Sequence, residues 1–241
     1  MDLNINIDHV ATLRQARGET FPSVLEAAKV AVAAGADGLV LHLREDRRHI
    51  QDYDVEEVRN NVPTRLDLEM ADVKEIINFA LKIKPELVTI VPEKRQELTT
   101  EGGLDLETNF DSLRNLTKRM HDAGIFVSMF IEPYKKHIDL SKMIGADMVE
   151  LHTGIYANAS TQEKIDEYAL QIEMAAIYSS ELKLRVAAGH GLNLNNVSRI
   201  AKIKEINELS IGHSIISRAI FVGLENAVKE MLQIVKNSQP I

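Results

Sequence analysis

Cysteine is absent from the 241-residue chain, so no disulfide, thiolate-bound zinc, iron–sulfur cluster or thiol nucleophile can form. Tryptophan is absent as well, which excludes nothing. There is no excess of positive charge. The 28 Lys and Arg face 36 Asp and Glu, a formal net charge of −8, which argues against a nucleic-acid partner held through its phosphates. No stretch approaches about 18 consecutive apolar residues, and Met1-Asp2-Leu3-Asn4 lacks the basic start of a secretory leader. The expectation is a cytoplasmic chain with no membrane span. The 45% hydrophobic and 27% charged content belongs to a globular protein with a sizeable core, not to a disordered or collagenous one.

Apolar runs of strand length alternate with segments of helical spacing along the whole chain. Strands are expected at Leu3–Asp8, Gly38–Leu43, Arg65–Met70, Glu86–Val91, Phe126–Ile131, Met148–His152, Lys183–Ala188 and Glu208–Gly212. Helices are expected at Pro22–Ala34, Val55–Asn61, Val73–Ile83, Asp111–Ala123, Leu140–Ile144, Thr161–Ser179, Leu194–Ile203 and Ser214–Val235. In the last, Leu224, Ala227, Val228, Met231, Leu232 and Val235 form one apolar stripe. Gly35, Gly124 and Gly145 fall where helices stop and need positive φ. Eight strand–helix repeats with nearly uniformly apolar strands predict a single-domain (β/α)8 barrel over residues 1–241. The alternative, an open doubly wound sheet, lacks a Gly-x-Gly-x-x-Gly turn after the first strand. The long connections Val10–Phe21 and Pro92–Phe110 follow strand C-termini, and the second has the composition of a lid.

In a barrel the strand C-termini are the catalytic face, and reactive side chains gather there. Six of the eight histidines, His9, His42, His49, His152, His190 and His213, sit at or just after an expected strand end. They are joined by Asn6, Asp8, Glu69, Glu93, Lys94, Arg95, Glu132 and Glu150. Alternation places Asn6 and Asp8 on one face. The turns Gly189-His190-Gly191 and Gly212-His213 let backbone N–H groups approach an anion at the start of the next helix, which suits a phosphate ester. Arg14, Arg17, Arg44, Arg47 and Arg48 could clamp a second phosphate or form a self-paired surface. With no nucleophilic serine elbow, the chemistry of this ring is proton transfer beside carbonyls or imines, with Glu69 or Glu150 as base. Neither His-x-His nor His-Glu-x-x-His occurs, so a metal is the less favoured use of these groups.

Six stretches, running from Asn6-Ile7-Asp8-His9-Val10-Ala11-Thr12-Leu13-Arg14 through His42-Leu43-Arg44-Glu45-Asp46-Arg47-Arg48-His49-Ile50, Val91-Pro92-Glu93-Lys94-Arg95-Gln96-Glu97 and Thr99-Thr100-Glu101-Gly102-Gly103 to Glu150-Leu151-His152-Thr153-Gly154 and Ala188-Gly189-His190-Gly191-Leu192, resemble the pyridoxine 5′-phosphate synthase family, as does Ile211-Gly212-His213. The resemblance implies a homo-octameric phosphate-binding (β/α)8 barrel with extra helices. It implies condensation of 1-deoxy-D-xylulose 5-phosphate with 3-amino-2-oxopropyl phosphate to pyridoxine 5′-phosphate, phosphate and water. It assigns Asn6, Arg17, Gly191, Gly212 and His213 to the amino-ketone phosphate, and Asp8, His9, Arg44, His49 and Thr99 to the sugar phosphate. His42 and Glu69 match proton acceptors, His190 a proton donor and Glu150 a transition-state stabiliser. Neither a redox cofactor nor an essential metal is expected. A single-substrate phosphosugar isomerase and a catalytically dead binding barrel are the rival readings.

Overall fold

A computed structural model describes residues 1–92 and 102–238. The chain closes a barrel of eight parallel strands in sequential order, β1-β2-β3-β4-β5-β6-β7-β8, with β8 pairing back onto β1. The strands are β1 (Asp2–Asn6), β2 (Gly38–His42), β3 (Arg65–Met70), β4 (Leu87–Ile90), β5 (Phe126–Ile131), β6 (Met148–His152), β7 (Arg185–Gly189) and β8 (Glu208–Ile211). Between β1 and β2 lie α1 (Asp8–Gln15) and α2 (Val24–Ala33); α3 (Asp52–Asn61) and α4 (Lys74–Ile83) follow β2 and β3. Then come α5 (Phe110–Asp122), α6 (Lys135–Ile144), α7 (Gly154–Ala157), α8 (Gln162–Glu181) and α9 (Val197–Ala201), with α10 (His213–Val222) and α11 (Leu224–Ser238) after β8. The barrel expected from the sequence is present, and β3, β5 and β6 have the expected bounds.

Period-two alternation divides each strand between two environments. Leu3, Ile5, Leu39, Leu41, Leu66, Leu68, Val149 and Leu151 are buried in the layer between sheet and helices. The opposite face fills the barrel, and there the strands are less uniformly apolar than expected. Leu87, Met148 and Ala187 form a small apolar plug there. Around it stand Asn4, Asp67, Thr89, Ser128, Glu150 and Glu208, all buried. Asn4 Nδ2 donates to Glu208 Oε1 at 3.0 Å, Arg65 pairs with Glu208 Oε2 at 2.7 Å, and Thr89 donates to Asp67 Oδ2 at 2.7 Å.

The N-terminal rim has a repeated device that closes the strand starts. The side chains of Asp37, Glu86, Asp147 and Asn207, each just before the next strand, accept the N–H of Leu3, Leu66, Val127 and Val186 at 2.9–3.0 Å. These N–H groups would otherwise be unmatched at the barrel bottom. Gly35, Gly124 and Gly145 all take positive φ as expected, and Gly145 caps α6 at φ 100°.

Three connections differ from expectation. The stretch after β1 is not a loop: the backbone turns at Ile7, and Asp8 begins α1 instead of ending the strand. A short α7 follows β6. The expected helix Ser214–Val235 is two, broken where Gly223 takes φ 80°. Its apolar stripe survives on α11, where Ala227, Val228, Met231, Leu232 and Val235 are buried. Of the expected lid Pro92–Phe110, residues 93–101 lie outside the described residues. Leu104 and Leu106 beyond them are buried in the core. No helix among the described residues is long and apolar enough to cross a membrane.

Candidate active site

At the C-terminal ends of the strands a cavity of about 370 Å³ opens, and Asn6, Glu69, Glu150 and His190 line it together with the Gly191 and Gly212 turns. Glycines make this convergence possible. A Cβ on Gly189 would collide with Glu150 Oε1, so β7 leaves the space that lets the carboxyl project from β6. A Cβ on Gly212 would stand 2.8 Å from Asn6 Cβ. His190 takes φ 77°, a left-handed backbone rare for a side-chain-bearing residue, and Gly191 follows at φ 78°. The Thr153 hydroxyl secures that bend, lying 2.7 Å from Gly189 O and 2.6 Å from His190 O. At the opposite lip, His213 starts α10 immediately after Gly212. The positive end of the helix dipole and its free N–H groups therefore face the cavity, as an anion site requires.

The second half of the site is a cluster on β1 and β2. Asn6 and Asp8 form a closed turn, with Asp8 N donating to Asn6 Oδ1 at 3.0 Å and Asn6 Nδ2 to Asp8 Oδ2 at 2.8 Å. The remaining oxygen, Asp8 Oδ1, accepts the His42 N–H at 2.9 Å, which ties the start of α1 to the end of β2. His42 Nδ1 stands 3.7 Å from Glu69 Oε2, its register partner across β2 and β3. The His49 ring is 6.0 Å from that of His42, and the His9 ring is 5.0 Å from that of His213. Asp8, His42 and His49 offer ligand atoms within 4.8 Å of one another, the one such group among the described residues. The Arg44 guanidinium acts on both Asp8 and His49, and a positive charge there opposes a cation.

Burial penalises charge of either sign, and the site shows it in both directions. Burial lifts Asp8 to about 6, against the pull of His42 and Arg44. Glu69 is raised well above the carboxylate range by burial, then by Glu150, Asp8 and Asp67. Glu150 is raised likewise by burial, Asp67 and Glu208. Asp67, deeper in the barrel, is lifted to about 7 by burial against the Thr89 hydrogen bond, with Glu208 adding to the rise. The histidines move the other way. Burial brings His190 to about 4, with His152 adding and Glu132 opposing, and brings His49 to about 3 with His42, Arg44 and His9 adding. His9 is lowered by burial and by His213. Carboxyls pushed up and imidazoles pushed down are the acid–base pairing that proton-transfer enzymes use.

Of the residues expected from the sequence, Asn6, His9, Glu69, Glu150, His190, Gly191, Gly212 and His213 line the one cavity. Asp8, His42, Arg44 and His49 stand beside it, at the start of α1, the end of β2 and the turn that follows. Asp8 does not share a strand face with Asn6, because the helix has already begun there. Arg17 is exposed in the turn after α1 and does not line the cavity. Thr99, Glu93, Lys94 and Arg95 lie outside the described residues. Arg14 is no anion clamp: it is buried and spends its guanidinium on Asp54, at 2.6 and 2.7 Å. Arg47 and Arg48 pair with Asp52, Glu75 and Asp46. The sequence reading missed the interior carboxyls Asp67 and Glu208, and gave no partner to His152, whose Nδ1 meets Glu132 Oε1 at 2.7 Å. The strict polar–apolar alternation of Arg65-Leu66-Asp67-Leu68-Glu69 was the available signal for the first.

A closed (β/α)8 barrel whose titratable groups converge at the strand C-termini has the layout of a barrel enzyme. The comparisons identify which kind. The family model described as pyridoxal phosphate biosynthesis protein PdxJ matches residues 3–237. The chain belongs to this family. It is 53% identical over 236 residues to the pyridoxine 5′-phosphate synthase of Chlorobium phaeobacteroides (strain DSM 266), covering 98% of this chain and 100% of that protein. It is 52% identical to the protein of the same name from Coxiella burnetii, covering 98% and 99%. Among solved structures, KGPDC from Streptococcus mutans superposes with a TM-score of 0.64 at 11% identity, over 98% of this chain and 97% of that one, a likeness of fold alone.

Proposed function

We propose that this protein is a pyridoxine 5′-phosphate synthase. It condenses 1-deoxy-D-xylulose 5-phosphate with 3-amino-2-oxopropyl phosphate to give pyridoxine 5′-phosphate, inorganic phosphate and water. The observation that carries the reading is the single cavity in which Glu69, Glu150 and His190 face the Gly191 and Gly212 turns. Acid–base groups thus stand beside an anion cradle, as a phosphate ester undergoing proton transfers requires. The relatives at 52–53% identity carry the same activity in their name, and the single-substrate isomerase alternative is not favoured.

Asn6, Arg17, Gly191, Gly212 and His213 hold the amino-ketone phosphate, whose phosphate remains in the product. Asp8, His9, Arg44, His49 and Thr99 hold the sugar phosphate, whose phosphate is eliminated. The amine condenses with the sugar ketone to an imine; a carbon-bound proton is removed, phosphate leaves, water adds, and an aldol-type closure precedes dehydration to the ring. His42 and Glu69 accept protons, His190 donates one and Glu150 stabilises the transition state. Protons move in each step and no net redox change occurs, so the chain's own carboxyls and imidazoles suffice. Their opposed displacement from ordinary values supports these roles.

The reading extends to a single phosphate-binding domain over residues 1–241, acting in the cytoplasm as a homo-octamer. Exposed apolar side chains on α8 and α10, Leu170, Met174, Ile220 and Phe221, support an assembly of several copies. The test of the reaction is to incubate the purified protein with both phosphate esters, without metal or nucleotide, and follow pyridoxine 5′-phosphate and free phosphate. Equal yields of the two are expected. Binding of each ester with no joint product overturns the assignment.

A further inference from the structure

The Glu150–Gly154 segment lends only Glu150 to the proposed chemistry, yet His152, Thr153 and Gly154 all bear on His190. His152, at the end of β6, is buried, and its ring lies 5.0 Å from that of His190, tilted by 64°. Thr153 grips the His190 carbonyl. A Cβ on Gly154 would collide with His152 Nε2 and stand 3.2 Å from His190 Cδ2, so the contact exists because position 154 has no side chain. Behind His152 stands Glu132, just beyond β5. Its Oε1 meets His152 Nδ1 at 2.7 Å and accepts the Gly103 N–H at 2.9 Å. A carboxylate oxygen can only accept, so the proton of His152 sits on Nδ1 and the tautomer is set. Burial raises the Glu132 carboxyl, but the His152 hydrogen bond and charge and the Gly103 N–H outweigh it and leave it below its ordinary value.

We propose that Glu132 and His152 are a positioning pair for His190. The carboxylate fixes the tautomer and orientation of the His152 ring, and that ring holds the His190 imidazole against the cavity wall. Among the described residues, Tyr156 and Tyr168 line the same pocket as Glu132 and His152. Glu132 and His152 act on His190 with opposite sign, and Glu132 also feels His137 of α6. The carboxylate therefore favours a protonated His190, while a charged His152 opposes it.

The inference rests on the reading of His190 as proton donor, and its test has an arm that needs no turnover. In the full-length protein, the His190 titration is followed by histidine-labelled NMR. Glu132→Gln keeps the size and an acceptor oxygen while removing the charge, and the His190 midpoint is expected to fall. His152→Gln removes the ring that opposes a charge on His190, and the midpoint is expected to rise. Glu132→Asp, which restores the charge, is expected to return it toward wild type. In steady state Glu132→Gln is expected to lower kcat by about 10-fold or more, with KM for both esters within about 2-fold. Shifts of the same sign in both Gln variants, or none in either, overturn the proposal, because a purely structural role moves melting temperature without opposing titrations. Should Glu132→Gln not fold, the rise expected in His152→Gln carries the test, and no rise there overturns the proposal. A wild type that makes no pyridoxine 5′-phosphate while the opposed shifts persist refutes the functional reading and leaves the positioning pair standing.

Discussion

Replacing Asp67 by Asn should change how stability depends on pH, with a sign that reverses. Asp67 is buried within the barrel, one oxygen held by Thr89 and the other, Oδ1, without a partner. Its carboxyl is lifted from 3.8 to about 7, burial being the main cause. A raised carboxyl binds its proton more tightly in the native than in the unfolded state. Stability is therefore fully present below about pH 4 and is lost as pH rises through the folded value near 7. Three units at about 1.36 kcal/mol each bring the cost of ionising it in place to about 4 kcal/mol. Asn never ionises, so the variant escapes that loss above pH 7, but its amide puts a donor at the unpartnered oxygen's position, costing about 1–3 kcal/mol. The net expectation is a gain of about 1–3 kcal/mol at pH 8 and a loss of up to about 2 kcal/mol at pH 4.5, where ionisation has already removed about 1 kcal/mol from the wild type. Urea titrations followed by circular dichroism, at fixed protein concentration, measure this directly. The same variant should move the acid limb of kcat to lower pH, because Asp67 raises both Glu69 and Glu150. Parallel stability curves for wild type and variant between pH 4.5 and 8 would refute the argument.

Two further substitutions test the assigned roles. Glu69→Gln removes the proposed proton acceptor, whose carboxyl burial and Glu150 raise; kcat should fall by about 10²-fold or more while ester binding by calorimetry is spared. Unchanged turnover would remove Glu69 from the mechanism. His213→Ala takes a side chain from the start of α10 and should raise KM for 3-amino-2-oxopropyl phosphate with little change in kcat; an unchanged KM would reject that assignment.

The barrel was legible because each repeat carries a strand-length apolar run, and three of them, at Gly35, Gly124 and Gly145, also a glycine stop before it. The errors have local physical causes. Asp8 was read as strand because Asn6-Ile7-Asp8 continues the alternation, but Asn6 Oδ1 captures the Asp8 N–H and turns the chain into α1. The break at Gly223 was hidden because the apolar period runs on through α10 and α11, although the glycine itself was the signal. Leu and Ile crowd these strands, which made them look nearly uniformly apolar, yet every second residue of Arg65-Leu66-Asp67-Leu68-Glu69 is polar, and that face fills the barrel. The site was legible to the extent that strand ends were. Pairings across space were not: nothing in the sequence says that Arg14 is spent on Asp54, forty residues away, or that His152 turns to Glu132.

The opposed displacements of the acids and bases set what the site offers a phosphate near pH 7. His190 and His49 are neutral, and Glu69 and Glu150 hold their protons more readily than free carboxyls. Such a site does not attract a phosphate dianion through standing imidazolium charge, so attraction falls to the backbone N–H groups at Gly212 and His213, the α10 dipole and the arginines. The dianion, once bound, changes the protonation of what surrounds it. At about 6 Å and an effective dielectric of about 20, one negative charge favours a nearby imidazolium by about 3 kcal/mol, or about two pKa units. His190, at about 4 in the empty cavity, is thereby brought toward the range where it can donate a proton. With His190 as the proposed donor, the substrate arms its own acid. Saturating inorganic phosphate should therefore raise the His190 midpoint by about one unit or more in an NMR titration. Phosphate binding seen by calorimetry with no movement of His190 would separate the anion cradle from the proton donor and break the link between the two halves of the site.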